Sequence, residues 1–209
     1  MTTAHSTLTG ADLHEPKGAA AAAAGEIFVA DGAGSGSFVA ANLGAQTEHI
    51  SIQNANFGSG ATAPSQSIVD NFNGWAFGIG DDSVFNLELP HNLDSAENIE
   101  IHITWAINEA YATASGEVQW QIDYSLVNHD DTEPLNAPNH TGTVTSGDID
   151  IPTTLYHVVH TTLVIPASDV ADLDTLGVKL SRIALVGGTG PTAEPFVIAA
   201  HVEFTTNGT

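Results

Sequence analysis

The stretch Val118-Gln119-Trp120-Gln121-Ile122-Asp123-Tyr124-Ser125-Leu126 decides the fold class, because apolar and polar residues alternate along its whole length. A period of two places successive side chains on opposite faces, as in a β-strand with one buried and one wetted face. Apolar runs typical of strands recur at 50–52, 84–89, 99–105, 156–165, 178–186 and 196–204. Turn-forming residues separate these runs, so the sequence predicts an all-β protein, an antiparallel jelly-roll-like β-sandwich.

Between the predicted strands, one segment is predicted to be helical and two to be turns. Residues 166–176 favour a helix, with Ser168 as its N-cap. The Asn- and Gly-rich segments 71–74 and 136–142 favour turns. Gly187-Gly188-Thr189-Gly190 leads to Pro191 and a further strand, so we expect a hairpin turn there and not a phosphate-binding loop.

The first 46 residues differ in composition from the rest of the chain. Pro16 suits the first position of a helix, the run Ala19–Ala24 favours helical structure, and Gly25 would end it. Such a short helix is unstable alone, so we expect this segment to dock on another surface. The sequence therefore predicts two parts: an extended N-terminal docking arm with a short helix, residues 1–46, and a β-sandwich domain, residues 47–209.

The charge balance excludes several classes of partner. The chain has 3 Lys+Arg against 25 Asp+Glu, a formal net charge of −22. Nucleic acids and anionic membrane surfaces are bound through clusters of basic residues, so neither is an expected partner. The sequence has no cysteine, which excludes disulfides and thiolate metal sites. We see no leader and no apolar run long enough to span a membrane, and we expect a soluble chain suited to high ionic strength.

The search for chemistry yields no catalytic motif, and we expect no enzyme and no cofactor. Asp130, Asp131 and Glu133 form an oxygen-rich loop that could hold Ca²⁺, although their spacing lacks the EF-hand pattern. A solvated acidic loop is the alternative, because acids are abundant throughout the chain. For the same reason, a carboxylate pair for glycoside hydrolysis cannot be selected from the sequence.

Tryptophans and histidines provide the remaining candidates. Trp105 and Trp120 continue the apolar faces of their strands and are expected in the core, whereas Trp75 lies beside a turn and is a candidate glycan contact. His102 lies on the polar face of its predicted strand. His157 and His160 are three residues apart in a predicted strand, point to opposite faces and are not expected to share a metal.

The N-terminal sequence is distinctive. It runs Leu8-Thr9-Gly10-Ala11-Asp12-Leu13-His14-Glu15-Pro16-Lys17-Gly18, then through the alanines to Val29-Ala30-Asp31-Gly32-Ala33-Gly34-Ser35-Gly36. This run resembles an N-terminal module of structural proteins from tailed bacteriophages. In that group a β-rich domain follows, with strands similar to 101–105 and 118–124 of this chain.

The resemblance implies a non-enzymatic virion component located on the outer surface of the capsid or an appendage: a capsid decoration or cement protein, a head fibre or a tail fibre. The arm residues that would dock are Asp12, Leu13, His14, Glu15, Pro16, Lys17 and Gly18. The expected partners are the major capsid protein or other virion proteins and, by analogy with other virion jelly rolls, two further copies of the chain in a homotrimer.

Two alternatives stay open: a receptor-binding fibre with a glycan-binding sandwich, and a carbohydrate-binding module or glycan-active enzyme. Val159, Val197 and Ala199 fall on the wetter faces of their predicted strands, where they could form a subunit interface or face a second sheet.

Overall fold

The computed structural model describes residues 22, 26–30, 36–40, 45–50, 62–90, 93–94, 96–110, 116–127, 134–138, 140–170, 175–187 and 189–206. This part of the chain contains one 3-10 helix, Ala167–Asp169, and twelve β-strands. In chain order the strands are β1 (Glu26–Ala30), β2 (Gly36–Ala40), β3 (Ala45–Ile50), β4 (Ser65–Val69), β5 (Phe72–Ala76), β6 (Asp82–Glu88), β7 (Ile99–Ala106), β8 (Glu117–Val127), β9 (His140–Asp150), β10 (Val159–Ile165), β11 (Thr175–Ile183) and β12 (Phe196–Thr205). Within these ranges, no helix has the length and apolar character needed to cross a membrane.

Eight strands form a jelly roll. One antiparallel sheet has the order β10-β7-β12-β5, and the other has the order β6-β11-β8-β9. Along the chain β5 to β12 change sheet at every step except between β8 and β9, which is the strand order of a jelly roll and confirms the predicted fold class. The first sheet is extended to six strands, because β4 pairs with β5 and β3 pairs with β12.

The two sheets enclose one hydrophobic core. Trp105 of β7 and Trp120 of β8 are fully buried, and their rings meet edge to face with centroids 5.9 Å apart. Phe77 packs on Trp120 at 5.4 Å, and the Trp105 indole N–H donates a 2.9 Å hydrogen bond to Thr161 Oγ1. The contact between the two indole rings connects the two sheets, whereas the hydrogen bond to Thr161 joins β7 to β10 within one sheet. Both tryptophans have the core position that the alternation predicts.

A β-bulge changes the expected orientation of β12. The register between β12 and β7 shifts between Val197 and Ala199, so that Phe196 and Val197 are both buried while Ala199 stays exposed. The prediction that Val197 lies on a wetter face is therefore wrong, because one extra residue reverses the alternation. Val159 is half-buried against the core, so of the proposed interface residues Ala199 alone is exposed.

Several local predictions are wrong for reasons that lie outside the local sequence. Of the helix predicted at 166–176, the described residues form a single turn of 3-10 helix at Ala167–Asp169, preceded by Pro166 without a side-chain cap, and strand from Thr175 onward. The segment 187–191 joins strands of different sheets and is not a hairpin turn. The turn predicted at 71–74 is strand from Phe72 onward, whereas the segment predicted as a turn at 136–142 begins as a turn and continues as strand from His140.

The N-terminal part of the chain is a separate unit and is described by itself. In it, β1 and β2 form an antiparallel hairpin in which Phe28 and Phe38 are cross-strand partners with ring centroids 5.4 Å apart. The sequence did not predict this hairpin within the arm. Ala22, within the segment expected to be helical, has no regular secondary structure, and the docking residues 12–18 lie outside the described residues.

Candidate functional site

Trp75 is the predicted site residue that the structure describes. It lies in β5, between Gln66 of β4 and Val197 of β12 in the sheet register. Its side chain is partly buried and packs against the core, so its ring is less accessible than the sequence implied. The predicted cation ligands Asp130, Asp131 and Glu133 lie outside the described residues. The structure thus draws attention to surfaces that the sequence did not select.

The outer face of the four-stranded sheet carries a groove of about 560 Å³. We call it the sheet groove, and it crosses β6, β11 and β8. Its lining residues are Val84, Asn86, Asp123, Ser125, Val127, Leu135, Thr175, Gly177, Val178 and Lys179. Gly177 has no side chain to fill the space at the centre of the sheet. The volume of the sheet groove falls within the range usual for small-molecule sites.

An ion pair forms part of the lining of the sheet groove. Lys179 Nζ lies 2.6 Å from Asp123 Oδ2, while Thr143 and Gln121 donate hydrogen bonds of 2.8 and 2.9 Å to Asp123 Oδ1. Burial alone would raise the pKa of Asp123, but these hydrogen bonds and the Lys179 charge outweigh it and lower the pKa. The hydrogen bond with Asp123 raises the pKa of Lys179. The pair is therefore ionised and held in place at neutral pH.

Two other polar groups of the four-stranded sheet point away from the groove. Arg182 is 4% exposed and donates a 3.0 Å hydrogen bond to the Phe77 carbonyl oxygen. Burial lowers its pKa, an effect that the nearby carboxylates oppose. The Tyr124 hydroxyl, near Gly142 of β9, donates to Asp169, and burial followed by this carboxylate raises the pKa of Tyr124 to about 12. Both side chains make hydrogen bonds inside the domain and do not line the sheet groove.

The outer face of the six-stranded sheet has a different character. His102 of β7 and His201 of β12 are direct cross-strand partners, and so are Glu100 and Glu203. The two imidazole rings are stacked, with centroids 4.7 Å apart and planes inclined by 12°. We call these four residues the histidine cluster. On the other side of β12, His49 of β3 is the backbone partner of His201.

Each ring nitrogen of His102 faces an oxygen atom. Nδ1 lies 3.0 Å from Thr162 Oγ1 on β10, and Nε2 lies 3.2 Å from Glu100 Oε2 and 3.6 Å from Glu203 Oε2. Nε2 is shielded from solvent and makes no hydrogen bond of acceptable geometry. One atom each from His102, His201 and Glu203 lie within 4.8 Å of one another. A small cation could be shared by this set.

Sequence reasoning identified His102 as a polar-face residue but did not find the cluster. A signal for it is present in the sequence: Glu100-Ile101-His102 and His201-Val202-Glu203 are mirror images of each other. In an antiparallel pair such motifs can align His with His and Glu with Glu, as they do here. Recognising this requires knowledge that β7 and β12 are neighbours.

An apolar patch lies at one end of the six-stranded sheet. Phe72 is 59% exposed, and Tyr156 and Val158 are also exposed. Phe72, Tyr156 and Val158 border a pocket of about 200 Å³. Tyr156 has a φ of +56°, and its N–H donates to the Ile107 carbonyl oxygen at 2.8 Å. Clustered exposed apolar side chains of this kind are typical of contact surfaces.

No protein-family model matches the chain, and no curated protein sequence does. Among solved structures, the chain is similar to a xylan-binding module, CBM15, with 14% sequence identity, a TM-score of 0.42 and coverage of 76% of this chain and 96% of the module. It is also similar to a carbohydrate-binding module specific for non-crystalline cellulose, CBM28, with 12% identity, a TM-score of 0.32 and coverage of 74% and 85%.

The chain is also similar to a protein of a viral particle. The VP2 subviral particle of infectious bursal disease virus matches with 13% identity, a TM-score of 0.39 and coverage of 86% of this chain. The present chain spans 36% of that capsid protein's length. The jelly-roll fold of this chain is shown by the strand order of its own two sheets.

Proposed function

We propose that this chain is a non-enzymatic structural protein of a tailed-phage virion that decorates or stabilises the outer capsid surface. The observation that carries the proposal is the joining of an N-terminal sequence resembling a phage virion module, residues 6–36, to a jelly-roll domain. The arm would attach the chain to the major capsid protein or to another virion protein, and the jelly roll would be exposed.

The distribution of charge supports an outer location. Both basic residues of the described jelly roll are occupied, since Lys179 pairs with Asp123 and Arg182 is buried against the Phe77 carbonyl. The acidic residues of a chain with net charge −22 therefore dominate its surface. Such a surface repels packaged DNA and is tolerated in salty water, where ions screen self-repulsion.

The apolar patch supports self-association. Val197 is buried and cannot form the subunit contact that the sequence left open, whereas Phe72, Tyr156 and Val158 are exposed together. In a homotrimer, each copy would cover this patch on its neighbour. The measurement is analytical ultracentrifugation of the full chain and of Phe72→Ser, which should dissociate the trimer into monomers.

Quantitative mass spectrometry of purified particles tests the location. Hundreds of copies per particle would support a capsid role, whereas a few copies would indicate a fibre. Absence of the chain from particles would contradict the proposal.

A truncation tests the arm. Because β3 begins at Ala45 and pairs with β12, a cut after residue 44 keeps the six-stranded sheet complete. The truncated protein should fold and fail to bind particles that lack the native chain, and full-length Lys17→Glu should bind more weakly. Normal incorporation of the truncated protein would exclude the arm as the attachment point.

Glycan recognition is the second candidate function, and the sheet groove favours it. The groove combines a fixed ion pair with the exposed amide of Asn86 and the hydroxyl of Ser125, groups that can hydrogen bond to sugar hydroxyls. A receptor-binding fibre would use such a site. The test is a glycan array with the full chain, followed by Asn86→Ala and by the matched control Asn73→Ala on the other sheet. Binding lost only in Asn86→Ala would favour this function, whereas loss on Trp75→Ala alone would favour the tryptophan contact.

A further inference from the structure

The side-by-side glutamates of the histidine cluster need a positive charge. Glu100 and Glu203 are direct cross-strand partners, and like charges in that position destabilise a sheet pair. Both described basic residues lie in β11 of the other sheet, where Lys179 pairs with Asp123 and Arg182 with the Phe77 carbonyl. Among the described groups that can carry a positive charge, His102 Nε2 lies within 3.6 Å of both carboxylates, and an atom of His201 lies within 4.8 Å of Glu203.

In the tautomer that carries its proton on Nδ1, His102 directs the Nε2 lone pair toward those carboxylates. With its proton on Nδ1, His102 donates to Thr162 Oγ1, leaving the Nε2 lone pair opposite Glu100 Oε2 at 3.2 Å and Glu203 Oε2 at 3.6 Å. A lone pair and two carboxylate oxygens repel one another unless a proton or a metal cation lies between them. Histidine ligands of metal ions are held in the same way, by a hydrogen bond from the nitrogen that does not bind the metal.

The donor set selects the class of cation. Ca²⁺ and Mg²⁺ prefer oxygen ligands, whereas two imidazoles with one carboxylate suit Zn²⁺ and related first-row transition metals. The ligand atoms of a tetrahedral zinc site lie roughly 3.3 Å apart, given metal–ligand distances near 2.1 Å. Atoms of His102, His201 and Glu203 already lie within 4.8 Å of one another, so inclination of the stacked rings toward each other would close the set.

We propose that His102, His201 and Glu203 bind one divalent transition-metal ion of the Zn²⁺ type on the outer face of the six-stranded sheet, with Glu100 or water as the fourth ligand. The ion would neutralise the paired glutamates and join β7 to β12 through side chains. Thr162 is a positioning residue, because it contacts the metal only through His102. This site is independent of the proposed virion role.

The test is calorimetric titration of ZnCl₂ into the full chain, prepared without a polyhistidine tag and stripped with a chelator. We expect one Zn²⁺ per chain, undisturbed by excess MgCl₂, with an affinity that falls as the solution is made more acidic, because protons compete with the metal for its ligands. His201→Gln and Glu203→Gln should each weaken binding more than about tenfold, and Thr162→Val about tenfold. Circular dichroism would verify that each variant is folded.

His160→Gln is the matched control. His160 is exposed on the same sheet, and its Nδ1 lies 3.1 Å from Thr104 Oγ1, away from the cluster. It should bind Zn²⁺ as the unaltered chain does. Weak binding of several ions that Mg²⁺ displaces, or unchanged binding in both His201→Gln and Glu203→Gln, would overturn the proposal. So would a zinc anomalous-scattering peak located away from these residues in crystals.

Discussion

The two sheets of the jelly roll compensate their acidic residues in different ways. On the four-stranded sheet, Asp123 is paired with Lys179 and accepts two further hydrogen bonds. On the six-stranded sheet, Glu100 and Glu203 lie side by side, with imidazoles as their nearest nitrogen groups. The chain has 3 basic residues, and two of them, Lys179 and Arg182, lie in β11 of the four-stranded sheet. Acidic residues of that sheet can therefore pair with a base. The other sheet depends on histidine.

The largest expected effect comes from removing the buried base of the four-stranded sheet. Arg182→Ala leaves the Phe77 carbonyl oxygen without its donor and opens a cavity, so the free energy of unfolding should fall by about 3–5 kcal/mol. Urea unfolding followed by tryptophan fluorescence would measure it. A cost below about 1 kcal/mol would mean that the comparison overstates the role of bases in this sheet.

An intermediate effect is expected at Tyr124 of the four-stranded sheet, whose hydroxyl donates a hydrogen bond to Asp169. Tyr124→Phe removes the hydrogen bond to Asp169 and should cost about 1 kcal/mol at neutral pH. Because folding raises the Tyr124 pKa from 10.0 to about 12, its contribution is complete below pH 10 and is lost as pH rises toward 12. Unfolding midpoints measured between pH 9 and 12 should fall less steeply in Tyr124→Phe than in the unaltered chain.

The smallest effects test the comparison most directly, because the same change should act in opposite directions on the two sheets. Asp123→Asn should destabilise by up to about 1 kcal/mol, since it removes an exposed ion pair. Glu203→Gln should stabilise the chelator-treated protein by about 0.5 kcal/mol, since it removes one of two adjacent negative charges. Thermal unfolding at low salt measures both. Effects of the same sign would contradict the contrast between the sheets.

The Asp123→Asn variant should also change how stability depends on pH. Folding lowers the Asp123 pKa, so the contribution of this carboxylate is present at neutral pH, declines as pH falls below its ordinary value of 3.8, and is lost below the folded pKa. Asp123→Asn should therefore be less sensitive to acid than the unaltered chain. An unchanged acid midpoint would indicate that other carboxylates dominate acid unfolding.

The sequence predicts the strands that have one buried and one wetted face. Alternation identifies β7 and β8 almost to their ends, and it places Trp105 and Trp120 in the core. It fails at β9, a strand of mainly threonine, glycine and aspartate without a buried apolar face. It also fails at Val197, because a bulge reverses the faces within one strand.

The histidine cluster was beyond prediction for a different reason. Its residues come from β7 and β12, which are distant in sequence, and their alignment depends on a register that no local pattern specifies. The sequence supplied the residue types and the mirrored motifs, and the jelly-roll topology brought them together. The docking residues 12–18 and the acidic loop 130–133 stay predictions.

The position of β12 has a consequence for how the protein comes to be folded in the cell. β12 is the last strand of the jelly roll along the chain, yet it lies between β7 on one side and β3 and β5 on the other. During translation, β7 and β10 can pair before β12 is synthesised. In contrast, β3 and β5 can join β7 in the sheet only after β12 has been synthesised. Folding is therefore governed by long-range closure, and we expect it to be slow and to begin in earnest after β12 has left the exit tunnel.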